Sequence, residues 1–167
     1  MLILSVDPGT ERSAYLVYDP VATAYPLVAL AGGIVANEML RWALASHQVL
    51  CVADILVIER VESYGMPVGR EVFDTVFWSG RFVEAWGGSF VLMPRRAVKL
   101  HLCHSSRATD ATLRQALIDM FGGRARGVGK KKTPGPLYGI SKDLWSCLAL
   151  AVTYAAHDIP SPCPTCG

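Results

Sequence analysis

Leu2-Ile3-Leu4-Ser5-Val6-Asp7-Pro8-Gly9-Thr10 is a short apolar run that ends abruptly on a carboxylate and a turn. Such a run, stopped by Asp-Pro-Gly, predicts a β-strand. A second run, Ala14-Tyr15-Leu16-Val17-Tyr18, is ended by Asp19-Pro20, and a third, Leu27 to Leu30, closes at Gly32-Gly33. Together they predict a three-strand meander. From Asn37 to Leu50, Met39, Leu40, Ala43, Leu44 and Val49 recur at helical spacing, with Asn37 placed to cap the helix. Ile55-Leu56-Val57-Ile58 is unbroken apolar, the pattern of a strand covered on both faces. A long helix is predicted over Pro67 to Trp86 and a fifth strand over Ser89 to Met93, ended by Pro94. Only helices and one loop follow: Arg95 to Leu102, Thr109 to Phe121, and Ser141 to His157. Gly122 to Gly139, with six glycines and two prolines, predicts no regular structure. The sum is βββαβαβ and then helices, an α/β fold with a mixed five-stranded sheet flanked by helices.

The chain has 167 residues, 51% of them apolar and 18% charged, with a mean hydropathy of +0.31. That is enough for one full core and too little for two, so residues 1–158 are expected to form a single domain and 159–167 a Pro/Cys-rich tail. The composition excludes a disordered chain. The longest uncharged run, Val21 to Asn37, is broken by Pro26, Gly32 and Gly33 and falls short of the roughly 20 apolar residues a membrane span needs. With no basic leader before the first apolar run, a soluble cytoplasmic protein is expected.

Charge is unevenly divided. Residues 1–93 carry five Lys/Arg against ten Asp/Glu, whereas residues 94–132 carry ten against two, a local excess of +8. An anionic partner is therefore expected at 94–132. Five cysteines is an odd count for a disulfide framework, so reduced thiols are expected. Cys163 and Cys166 form a lone Cys-x-x-Cys without a second ligand pair, which favours a frayed tail over a metal site.

Three acids stand at the ends of apolar elements. Asp7 leaves the first strand and Glu59 the fourth, and strand ends are where open α/β sheets bind ligands. If those strands are neighbours, both carboxylates emerge on one edge. Asp143 opens the last helix, where the helix dipole alone also favours an acid. Turn chemistry explains Asp7 equally well, and a solvated strand end explains Glu59. As a set, however, the three suit a pair of hard divalent cations with oxygen ligands. His101 and His104 lack a partner cluster and read as a partly solvated helix end. Arg124, Arg126, Lys130, Lys131 and Lys132 lie on a glycine-rich segment without an acid, which suits phosphates along an irregular path. Arg95, Arg96 and Lys99 extend this basic surface. Tyr64, between Ser63 and Gly65, is placed either to stack on a base or to pack on the fold.

The element order, with Ile-Leu-Ser-Val-Asp7-Pro-Gly-Thr, Leu-Val-Ile-Glu59 and Ser-Lys-Asp143-Leu-Trp-Ser-Cys-Leu-Ala-Leu-Ala-Val-Thr, resembles the RuvC family of Holliday junction resolvases. That family belongs to the RNase H-like superfamily, and the form here looks like those carried by bacteriophages and prophages. The resemblance spans roughly residues 1–157. It implies a homodimer that binds four-way or branched DNA and makes paired nicks with Mg²⁺ or Mn²⁺, two per active site, with no organic cofactor. The products implied are 5′-phosphate and 3′-hydroxyl ends. Asp7 matches the first-strand ligand of both metals and Glu59 the acid of the fourth strand. In the last helix the bacterial pattern sets an acid or histidine and then an aspartate three residues apart. Here those positions are Asp143 and Ser146, so either Asp143 suffices, with Glu62 or water completing the shell, or the second metal binds weakly. The helix over 67–86, with Phe77 and Trp78 beside its core stripe, is the expected dimer contact. Two alternatives stay open: a junction-binding protein without catalysis, and another RNase H-like nuclease that processes RNA.

Overall fold

The computed structural model describes residues 1–21, 31–46, 52–63, 65 and 67–158. Strands β1 (Ile3–Asp7), β2 (Arg12–Tyr18) and β3 (Gly32–Ala36) come first. Helix α1 (Asn37–Ala45), β4 (Ile55–Arg60), α2 (Arg70–Trp86) and β5 (Phe90–Pro94) follow. Then come α3 (Arg95–Cys103), α4 (Asp110–Met120), a π-helical turn at Arg124–Val128, the short strands β6 (Gly129–Lys130) and β7 (Thr133–Pro134), and α5 (Leu144–Asp158). The main sheet has the order β3-β2-β1-β4-β5. β1 pairs antiparallel with β2 and parallel with β4, and β4 pairs parallel with β5. This is the mixed, helix-flanked five-stranded sheet that the sequence predicts.

Strand alternation divides the core. Ile3, Leu16, Val57 and Met93 face α3, α4 and α5, while Leu4, Val6, Leu56 and Ile58 face α1 and α2 with Phe82 and Trp86. Helix α5 is buried on nearly every side, because Leu144, Trp145, Cys147, Leu148, Leu150, Ala151 and Val152 all lie between the sheet and the outer helices. A helix apolar all round belongs in the middle of a layer, and that is where it sits. Among the described residues no helix is long and apolar enough to cross a membrane.

Several expectations are corrected. The third strand begins at Gly32-Gly33 instead of ending there, since β2 offers an open edge to which Ile34 and Val35 pair at Ala14 and Ser13. Leu27 to Leu30 lies outside the described residues, as does Leu50. Helix α2 starts at Arg70, three residues after Pro67. The 122–139 segment is folded: Gly135 N–H donates to Val128 and Leu137 N–H to Gly127, and the Leu137 side chain is fully buried. A Cβ at Gly135 would collide with the Arg126 and Gly127 carbonyls, so backbone packs on backbone there.

Asn37 is not a helix cap; Ala36 is, without a side-chain bond. Asn37 is buried and clamps the turn after β1 instead. Ser13 Oγ donates to Asn37 Oδ1 at 2.7 Å, Asn37 Nδ2 donates to the Gly9 carbonyl at 2.9 Å, and Gly9 N–H donates to Ser13 Oγ at 3.2 Å. Gly9 is required there, because a Cβ would meet the Arg12 carbonyl. Replacing Asn37 by Asp keeps the acceptor for Ser13 but removes the donor to Gly9. Both Asn37→Asp and Asn37→Ala should therefore lower stability by about 1–3 kcal/mol in urea titrations. An Asp variant as stable as the parent would refute the clamp.

Candidate active site and nucleic-acid interface

β1 and β4 run parallel, with Val6 opposite Ile58, so Asp7 and Glu59 follow side by side at their C-terminal ends. Both continue the parity of Ile3, Ser5 and Val57, which faces α5. The start of α5 closes over them. Asp143 immediately precedes the helix, its carbonyl accepting the Cys147 amide, and Lys142 enters the turn with a left-handed φ of 49°. Asp7, Arg95, Asp110, Arg114, Asp143 and Ser146 line one pocket of about 380 Å³.

The electrostatics are those of crowded acids. Burial, and then the Glu59 charge, push the Asp7 pKa up to about 7, against the Ser146 hydroxyl and Arg95, which favour the ionised form. Burial also raises Glu59, opposed by Arg95. Arg95 Nη1 donates to both Glu59 oxygens at 3.2 and 3.0 Å, while Nη2 donates to Asp110 Oδ1 at 2.7 Å. The guanidinium thus bridges two elements of the site. Cys147 is wholly buried, and burial together with the Asp7 charge keeps its thiol protonated.

The predicted site residues divide accordingly. Asp7, Asp143 and Ser146 share the pocket wall, and Glu59 joins them through Asp7 and Arg95. Glu62 does not line the pocket; it lies 3.6 Å from Arg60 Nε. Tyr64 lies outside the described residues. Arg95, expected on the DNA surface, is held by acids instead. Asp110 was missed, because an acid following the Thr109 N-cap reads as ordinary helix chemistry. Its partner Arg95, fifteen residues earlier at the start of the preceding helix, gave no sequence signal for it.

The donor set is all oxygen, which fits a hard cation in kind. Among the described residues, however, no three His, Cys, Asp or Glu side chains are close enough to hold a metal ion together. The expected triad is therefore not preassembled: Arg95 occupies Glu59 and Asp143 is exposed. The unbalanced partner is Asp7, desolvated beside a second acid.

The basic surface is distinct from this pocket but touches it. Arg96, Lys99 and Ser106 share a second pocket of about 330 Å³ with Arg95. Arg124 and Arg126 project from the π-helical turn, and Lys130, Lys131 and Lys132 are exposed around the β6–β7 tip. In residues 1–93, Arg41, Arg60, Arg70 and Arg81 all pair with acids. In 94–132 Arg95 is the one cation that does so among the described residues; Arg114 lies over the Trp145 ring at 4.9 Å.

Compared with known proteins, the sequence matches no protein-family model and no curated protein. In three dimensions it is similar to two structures of RuvC from Thermus thermophilus. One gives a TM-score of 0.62 at 16% identity, covering 94% of this chain and 96% of that one. The other, RuvC in complex with a Holliday junction substrate, gives 0.64 at 16% identity with 94% of each chain covered. The fold is of the RuvC type.

Asp7 also sets a pH dependence. Its pKa in the folded chain lies above the ordinary 3.8, so the folded state binds the extra proton and stability falls as pH rises from about 4 to 7. In EDTA, Asp7→Asn should match the parent near pH 4 and exceed it by about 4 kcal/mol above pH 7, at ~1.4 kcal/mol per unit. A pH-independent difference in denaturation midpoints would refute the assignment.

Proposed function

We propose that the protein is a structure-selective endonuclease that resolves four-way and branched DNA junctions by divalent-cation-dependent hydrolysis of phosphodiester bonds. The observation that carries this reading is the Asp7–Glu59 pair at the ends of two parallel strands, opening beside Arg96 and Lys99, which make no ion pair among the described residues. That one similar structure holds a Holliday junction substrate supports the same substrate class here.

Asp7, Glu59 and Asp143 are the residues that would hold Mg²⁺, or Mn²⁺ in its place, which supplies an activated water and offsets charge building on the leaving 3′-oxygen. The chain's own residues prepare that chemistry. Asp7 is desolvated and short of compensating charge, so a cation favours its ionised form. Ser146 donates to Asp7 and orients it. Arg95 neutralises Glu59, and because its other edge already rests on Asp110, releasing Glu59 does not strand the guanidinium. Arg96 and Lys99 beside the pocket, with Arg124, Arg126 and Lys130 to Lys132 on the anchored loop, contact phosphates without reading bases. Junction selectivity then comes from two such sites in a homodimer. Helix α2 supplies the contact: Phe73, Val76 and Phe77 are 63%, 50% and 61% exposed, whereas Trp78 folds back onto Phe82.

A second reading, junction binding without cleavage, draws on Ser146 standing where the family has a carboxylate and on Arg95 occupying Glu59. An end-labelled junction and a duplex of the same sequence, each with Mg²⁺ or EDTA, separate the two. Resolution predicts symmetric, metal-dependent nicks in the junction alone, abolished in Asp7→Asn while binding persists. Tight binding with no cleavage in Mg²⁺ or Mn²⁺ would establish the binding module. Changing Lys130, Lys131 and Lys132 together to Ala should weaken junction binding and reduce the log–log salt slope by about 2–3. An unchanged slope would remove the loop from the interface. Phe77→Glu should run as a monomer on light scattering, and a persistent dimer would exclude α2 as the contact.

A further inference from the structure

The pocket of about 380 Å³ at Asp7 has a second wall that the proposed chemistry leaves unused. Asp7 and Asp143 are the acids of that chemistry, and Arg95 is occupied by Glu59 and Asp110. Two cations of the same pocket are left over: Arg114 of α4 and Lys142 of the turn before α5. Both are exposed, and neither side chain makes an ion pair or a hydrogen bond among the described residues.

Arg114 follows Asp110 by four residues in α4, the spacing at which an aspartate and an arginine ordinarily pair. Here Arg95 holds Asp110 Oδ1 at 2.7 Å, and Arg114 lies instead over the Trp145 ring, 4.9 Å from its centroid. A guanidinium resting on an aromatic face keeps its N–H donors for an oxyanion. Lys142 is held by its backbone. Its φ of 49° is a left-handed conformation uncommon outside glycine, and its carbonyl accepts the Trp145 amide at 3.2 Å. Trp145 therefore ties the two cations together, one through its ring and one through its backbone. Its own indole N–H is buried without an acceptor among the described residues, the residue being 7% exposed. Three hydrogen-bond donors thus border one pocket with no partner in the chain.

We propose that Arg114 and Lys142 form a phosphate subsite that binds the phosphodiester group next to the one cleaved at Asp7 and Asp143. The subsite rests on the reading of the acidic pocket as one that takes a nucleic-acid strand. Its ligand is a backbone phosphate and not a base edge: the two free groups are cations, and no Asn or Gln lines the pocket. The pocket is also larger than a single phosphate group. A strand gripped at two adjacent phosphates is held in one register. Arg114 and Lys142 are therefore positioning residues, which place the scissile group while touching none of the reacting atoms.

The test measures binding of a four-way junction to the full chain in EDTA, with one neutral methylphosphonate placed in turn at each phosphate around the branch point. In the parent, one position should cost about tenfold in affinity, the scale of a single charge-assisted contact. In the double variant Arg114→Gln with Lys142→Asn, the same position should cost nothing further, while every other position costs parent and variant alike. Asparagine is chosen because it tolerates the left-handed backbone. If the double variant fails to fold, Arg114→Gln alone carries the same comparison from an exposed helix position. Losses equal in parent and variant at every position reject the subsite. So does a variant that binds the unmodified junction as tightly as the parent. Mapping of nicks made by the parent in Mg²⁺ keeps the two readings apart. A position that is sensitive in the parent alone and adjoins the nick supports both, and one remote from the nick overturns the adjacency proposed here. Such a position with no nick anywhere keeps the phosphate site and removes the endonuclease, whereas nicks without such a position do the reverse.

Discussion

Two carboxylates forced together at the ends of β1 and β4 are the constraint around which the rest of the molecule is arranged. Removing Asp7 from water beside Glu59 is costly, and the folded chain bears that cost only because neighbouring groups share it. Arg95 reaches Glu59 from α3 with its other edge on Asp110, and Ser146 donates from the first turn of α5. The turn carrying Asp7 is fixed by the buried Ser13–Asn37–Gly9 bonds, which leave the carboxylate little freedom to retreat. A site of this kind stores unfavourable charge in the free protein, which the cation of the proposed function would relieve.

The same logic separates the two halves of the chain. In the first, arginines meet acids and the surface is largely self-neutralised. In the second, among the described residues, Arg95 is the cation that pairs with acids, and one edge of that surface enters the acidic pocket through it. On the proposed function, this arrangement would draw a polyanion to an acidic site that otherwise repels it. The glycines of 122–139 serve close packing of backbone on backbone, with Leu137 as the anchor, so the lysines stand on a shaped loop.

Much of this was legible in the chain. An apolar run ended by an acid marks the end of a strand, so β1 with Asp7 and β4 with Glu59 could be identified together. The apolar stretch after Asp143 marked the last helix, though not its place in the middle of the layer. Signals failed where one residue type serves two purposes. Gly32-Gly33 reads as punctuation until an open strand edge recruits it. Asn37 reads as a cap until Ser13 and Gly9 surround it, and Asp110 reads as helix-dipole chemistry until Arg95 reaches it.

The sequence by itself determined the order of elements, the acids at strand ends and the basic segment, because each is written in local periodicity and charge. Tertiary structure alone decided which groups meet. Register and strand parity set Asp7 beside Glu59 on the face of α5, and helix packing brought Arg95 to both acids and His101 to His157. Those contacts join residues far apart in the chain, and the free energy that selects them comes from burying the whole core. No local pattern contains that term.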